Sequence, residues 1–237
     1  MSRATYKGKH CVYCVEAPAD TADHVIARKF FLENRRESLP QAPACRQCNG
    51  VKAQLENYLM VVLPFGARHP DAAANLKTMV TKRLLKNRKL HEELARGLAE
   101  SGGIAIPFDH TRLDRLFAMI ARGLAWYHWG VLLGPGYGAI ASTFSDSGWN
   151  FFDQFLTTLP VRVDRNLGEN TFSYQGSQAK DCPEMTVWRF SMYGGVRFGG
   201  DPKAPGGSSL AIALTGRDPF IRKLKAKAAG QDRALTA

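Results

Sequence analysis

Cys11/Cys14 and Cys45/Cys48 form two C-x-x-C pairs, and Asp23-His24 stands between them. A C-x-x-C places two thiolates on one tight turn, and two such turns complete a tetrahedral four-cysteine site of the kind that holds structural zinc. The pairs are further apart than in the commonest zinc ribbon, so the intervening segment carries something of its own. Asp23 offers a carboxylate beside a base that titrates near neutrality. His24, with a reference pKa of about 6.5, is able to take a proton from water at neutral pH. Asn49 directly follows the last cysteine, with Lys52 and Glu56 one and two turns later. Along a strand, Asp23 points to the opposite side of the pleat from His24. That makes Asp23 a metal-holding or supporting group, and leaves orientation of the imidazole to a backbone carbonyl or an amide. Lys52 is placed either to touch a phosphate or to pair with Glu56 four residues on. His10, His69, His91, His110 and His128 are read as flanking, surface or packing residues, and Cys182 as a bystander.

The remaining chemistry is that of charge. The chain has 237 residues, 45% of them hydrophobic, and a net charge of +11. Its pI is near 9.6. That balance suits a polyanionic partner, since counterion release drives binding to nucleic acid. No apolar run approaches the roughly 20 residues of a spanning helix, and Met1 to Lys9 is polar with no apolar core for a secretory leader. Paired cysteines in a cytoplasmic setting point to metal rather than disulfides. A cytoplasmic, nucleic-acid-facing protein with no membrane partner is the expectation.

The elements that must position these residues are legible from periodicity. Thr21 to Ile26 reads as a short strand, Phe30 and Phe31 as packing residues, and Glu33 to Gln41 as a loop. Val51, Leu55, Tyr58, Leu59 and Val62 recur at helical spacing, so a helix rises out of the second knuckle with Asn49 at its start. After a break at Pro64-Phe65-Gly66, Pro70-Asp71 opens a helix. Leu76, Val80, Leu84, Leu90, Leu94 and Leu98 form its apolar stripe, with lysines and arginines around it, and Ser101-Gly102-Gly103 ends it. Another helix carries Leu113, Leu116, Phe117, Ile120 and Leu124, runs through Trp126 to Trp129, and is closed by Gly134-Pro135-Gly136. Strands are expected at 161–163, 171–174, 186–193, 196–198 and 210–214, with a hairpin about Gly194-Gly195. A basic tail from Pro219 begins as a helix. The expected class is α+β: a module at 1–65, then helices and a mostly antiparallel sheet at 66–237.

The N-terminal layout resembles the HNH endonucleases, the ββα-metal nucleases, and specifically their zinc-stabilised members. The matching residues are C-V-Y-C, D-H-V-I-A-R, and C-R-Q-C-N-G-V-K followed by Glu56. The resemblance covers about the first quarter of the chain. It implies that Asp23 is a ligand of a catalytic ion, that His24 is the general base, and that the four cysteines hold a separate structural Zn²⁺. Asn49 stands where the family usually has a second ligand histidine, and oxygen donors favour Mg²⁺ or Mn²⁺. Asn34 and Gln41 are the candidates to stand in for the family's middle Asn. Arg28, Lys29 and Lys52 are the expected nucleic-acid contacts. The activity implied is phosphodiester hydrolysis, on DNA rather than RNA, and double-strand cutting would call for a homodimer. Two other readings stand beside it: a non-catalytic zinc-containing nucleic-acid-binding protein, and a nuclease effector regulated by its C-terminal part.

Overall fold

The first cysteine knuckle leads into a two-stranded antiparallel hairpin, β1 (Thr21–His24) and β2 (Gln41–Ala44). The structure is a computed structural model that describes residues 6, 8–67, 69–101, 106, 108–143, 146–196 and 210–235. β2 runs without a loop into helix α1 (Arg46–Val62), whose N-cap is Cys45; its sulfur accepts from the Cys48 N–H. The sequence reading left the second element as strand or loop; it is a strand, and it takes in Gln41, which was expected in the loop, while β1 is shorter than the 21–26 expected. The segment between the strands is not a plain loop: it makes short 3-10 turns at Arg28–Phe30 and Glu33–Arg35. Phe30 and Phe31 are fully buried, as packing residues should be.

The apolar stripe after residue 66 is divided among three short helices, α2 (Pro70–Asn75), α3 (Thr81–Lys86) and α4 (Arg88–Glu100). A π-helical turn at Leu76–Val80 joins the first two. One continuous helix was expected here. Asn87 interrupts it, with φ −121° and ψ 76°, and its side chain accepts the Leu90 N–H to cap α4. A short amide that can cap competes with the helix backbone at such a position.

Helix α5 (His110–Trp129) is capped by Asp109 and ends at Gly130, which takes the left-handed conformation at φ 68°. The helix thus stops four residues before the Gly134-Pro135-Gly136 expected to close it, because the earlier glycine accepts the left-handed cap at no steric cost. Gly123 marks where α5 presses against the chain just after β1. A Cβ there would lie 2.7 Å from a Val25 methyl, and Val25 is fully buried. Gly123→Leu is expected to lower stability by about 3 kcal/mol, the upper end of ordinary overpacking, measured as a fall in the urea midpoint at unchanged slope.

The C-terminal sheet is antiparallel and five-stranded, in the order β3-β7-β6-β5-β4. Its strands are β3 (Tyr137–Thr143), β4 (Val161–Leu167), β5 (Phe172–Gln178), β6 (Thr186–Met192) and β7 (Leu210–Arg217). Side-chain alternation sorts the strands into two faces. Trp188, Phe190, Met192, Ala211 and Ala213 join the core shared with α5. Val187, Ile212 and Leu214 join a second core with Phe152 and Leu156 of α6 (Asp146–Thr158) and Ile221 and Ala228 of α7 (Asp218–Leu235). The expected hairpin about Gly194-Gly195 is replaced by a turn, after which Val196 bridges Ala67; 197–198 lie outside the described residues. β3 and α6 were not anticipated, because Tyr137 to Thr143 is rich in Gly, Ala and Ser and carries little β-branched signal.

The larger core is continuous from Cys11 in the first knuckle to Ala213 in β7. Packing therefore does not pause at residue 65, the border expected between the two parts. Arg35 pairs with buried Asp71 at 3.0 Å and with Glu169 at 2.8 Å. Asn75 donates to the Phe30 carbonyl at 3.0 Å and contacts the Tyr193 hydroxyl at 3.1 Å. Among the described residues, no helix is long and apolar enough to cross a membrane.

Candidate metal centre and active site

The Sγ atoms of Cys11, Cys14, Cys45 and Cys48 all lie within 4.8 Å of one another, and those of Cys14 and Cys45 are 3.9 Å apart. A tetrahedral ion with metal–sulfur bonds of about 2.3 Å has sulfur–sulfur edges of about 3.8 Å, so the cluster fits an ion such as zinc. Burial first, and then the neighbouring sulfurs, push the Cys48 thiol well above its ordinary value. A bound cation reverses that balance and deprotonates its thiol ligands.

The knuckles clamp the hairpin onto α1, and one face of α1 meets β1. Asn49 donates to the Thr21 hydroxyl at 3.2 Å. Thr21 and Asp23 are two residues apart on a strand and so share a face. Asp23 is buried; its Oδ2 accepts a hydrogen bond from the Tyr13 hydroxyl and lies 3.0 Å from Lys52 Nζ. The Lys52 ammonium also donates to Glu56 and, at 2.9 Å, to the His24 carbonyl. All three of its N–H donors are thus matched.

Of the two roles weighed for Lys52, the structure shows the pairing with Glu56 and corrects the phosphate contact. The lysine is fully buried and pairs with Glu56 and Asp23, so it is not on a surface where it could meet a phosphate. The cause is helical spacing: the position that puts Asn49 against β1 puts Lys52 and Glu56 there too. Burial raises the Glu56 carboxyl pKa, and the Lys52 charge opposes that shift. The cluster carries two carboxylates against one ammonium.

His24 lies on the other side of the pleat from Asp23, half-buried. Its register partner in the hairpin is Gln41, and the Gln41 amide is 3.0 Å from His24 Nε2. Gln41 Oε1 is buried without a partner. Turning the amide would place Oε1 on an Nε2–H and leave Nδ1 with the free lone pair. Burial lowers the His24 pKa, the Arg28 charge lowers it further, Asp23 opposes, and Lys52 adds a smaller lowering. Burial and Arg28 thus favour the neutral ring, the form able to accept a proton. Arg28 and Lys29 are exposed on the turn that follows β1, flanking the hairpin end that carries His24.

Sequence reasoning left two site residues without a role. Tyr13, inside the first knuckle, carries no signal of its own in the sequence; its phenol donates to Asp23. Gln41 was weighed only as a stand-in for a family residue, and the signal that identifies it is cross-strand register with His24. No family model, curated protein or solved structure matches this chain.

Proposed function

We propose that the protein is a metal-dependent endonuclease of the HNH type, stabilised by zinc at Cys11, Cys14, Cys45 and Cys48, that hydrolyses phosphodiester bonds in DNA. The observation that carries the reading is the placing of His24: a half-buried imidazole 3.0 Å from the Gln41 amide, at the end of a hairpin flanked by four clustered cysteines. Asp23 and Asn49 would hold one Mg²⁺ or Mn²⁺, which supplies charge neutralisation at the scissile phosphate. His24 takes the proton from the attacking water. Tyr13 and Lys52 fix the Asp23 carboxylate, and Glu56 fixes Lys52. Arg28 and Lys29, with the basic surface of α3 and α4, meet the phosphate backbone. A homodimer, each copy cutting one strand, would give double-strand breaks.

The test is plasmid cleavage with Mg²⁺, Mn²⁺ or EDTA. Nicking that depends on the divalent ion supports the enzyme; a zinc-loaded, folded protein that never cuts sinks it. The reading also sets a pH dependence. Because burial and Arg28 depress the His24 pKa, the base stays deprotonated to below pH 6.5, and the acid limb of the rate profile lies beneath that value. Arg28→Gln removes one depressing charge, so the limb is expected to move up towards 6.5. A profile unmoved in that variant would separate Arg28 from the base.

A second reading, a zinc-containing nucleic-acid-binding protein without catalysis, is favoured by one observation. Lys52 already neutralises the Asp23 carboxylate, which lessens its pull on a catalytic ion. That reading expects salt-dependent DNA binding with no cleavage in any divalent ion.

A further inference from the structure

A divalent ion held by four thiolates carries excess negative charge, and Cys11 and Cys45 are buried, where water screens it poorly. The nearest basic neighbours in the chain are directed elsewhere. Arg46, next to Cys45, is exposed and faces Asp20 at 3.6 Å. The Lys9 ammonium lies over the Trp126 ring, 4.9 Å from its centroid. A cleft of about 520 Å³ opens between the first knuckle, the start of α1 and α5, and its lining includes Cys14, Cys48 and Arg122. Arg122 is only partly exposed. Its one hydrogen bond among the described residues is a long one, 3.4 Å to the Tyr137 carbonyl of β3. A guanidinium has five N–H donors, so most of that capacity is left unused by the described residues.

We propose that Arg122 is the counter-ion of the four-cysteine centre, offsetting the charge of the metal tetrathiolate and tying it to the C-terminal sheet. The inference rests on the zinc reading of the cluster and adds to it a residue far along the chain from either knuckle. Burial lowers the Arg122 pKa, and the Asp218 carboxylate opposes that shift. Arginine suits the position: its charge is weakly hydrated and its planar fork reaches several acceptors at once. Arg122 acts here as a positioning residue, through the sulfurs, and touches no substrate.

The experiment is competition for zinc between the full chain and a chromogenic chelator. Arg122→Met keeps the stem and removes the charge; its zinc is expected to bind about 10- to 100-fold more weakly, the usual cost of losing a partner of metal ligands. Arg122→Lys restores part of the loss. Arg115→Met, an exposed residue on the same cleft, leaves affinity as in wild type. Wild-type affinity in Arg122→Met, or a lysine variant as weak as the methionine one, overturns the proposal. Should the methionine variant not fold, Asp218→Asn removes the carboxylate that competes for Arg122, and zinc is expected to be held at least as tightly; weaker zinc overturns the proposal. A wild-type protein that takes up no zinc, and shows no tetrathiolate absorption with Co²⁺, overturns the zinc reading and this inference together. That failure is visible before any variant is made.

Discussion

His24→Ala is expected to slow metal-dependent plasmid cleavage by about 10²- to 10⁴-fold, the usual share of a general base, with zinc content and thermal midpoint unchanged. The expectation of an intact fold comes from where the ring sits. His24 ends β1, is half-exposed, and its side chain has Gln41 as its hydrogen-bond partner. The bond that locks Lys52 uses the His24 backbone carbonyl, which alanine retains. The variant therefore removes the base without disturbing the Asp23–Lys52–Glu56 cluster behind it. DNA binding measured at low salt should persist, because Arg28 and Lys29 are untouched. Cleavage at the wild-type rate would remove His24 from the mechanism. Loss of cleavage together with loss of zinc would make the effect structural.

The site was legible in the sequence where spacing alone fixes geometry. Two C-x-x-C turns define a four-sulfur cluster whatever fold surrounds them, and a helix rising out of the second pair puts Asn49 beside the hairpin, although it begins at Arg46 and not at Asn49 as expected. Adjacent strand residues must face apart, and Asp23 and His24 do. What spacing could not reveal is which face is buried. The pairing of Lys52 with Glu56 was legible from i, i+4 spacing, but the phosphate role assumed a solvated lysine; the turn that presents Asn49 to β1 also carries Lys52 inward, where Asp23 and Glu56 make its burial tolerable. Gln41 needed cross-strand register, and Arg122 needed the packing of α5 against the knuckles; both depend on long-range contacts. In the C-terminal half, the cores of β5, β6 and β7 were read from their β-branched and aromatic residues. β3 escaped because its place beside β7 comes from pairing and not from its own composition. The helix break at Asn87 and the early stop at Gly130 were decided by single residues able to cap, against an apolar stripe or run that continued past them.

Lys52→Met is expected to destabilise the protein by about 3–5 kcal/mol, the cost of breaking a buried ion pair by deleting one partner. The variant leaves Asp23 and Glu56 facing each other in a buried site with the Tyr13 phenol as the remaining donor to Asp23. Burial already pushes the Glu56 pKa up in the wild type, and without the ammonium the main opposing charge is gone. A carboxyl whose folded pKa rises above its unfolded value binds more protons when folded, so stability falls as pH rises. The deficit of Lys52→Met should therefore be greatest at neutral pH and shrink as the pH falls through the raised Glu56 value. Adding Glu56→Gln to Lys52→Met should recover part of the loss at pH 7, since one uncompensated charge is gone, whereas Glu56→Gln alone should be mildly destabilising. That non-additivity, read from urea midpoints in a double-mutant cycle, is specific to a shared buried cluster. A phosphate-contacting lysine gives a different pattern: stability unchanged, DNA binding weaker, and the slope of log affinity against log salt reduced by about one. Because Lys52 also donates to the His24 carbonyl at 2.9 Å, its loss frees the strand end that carries the base. Lys52→Met kept folded at low temperature is expected to cut more slowly than its remaining folded fraction predicts.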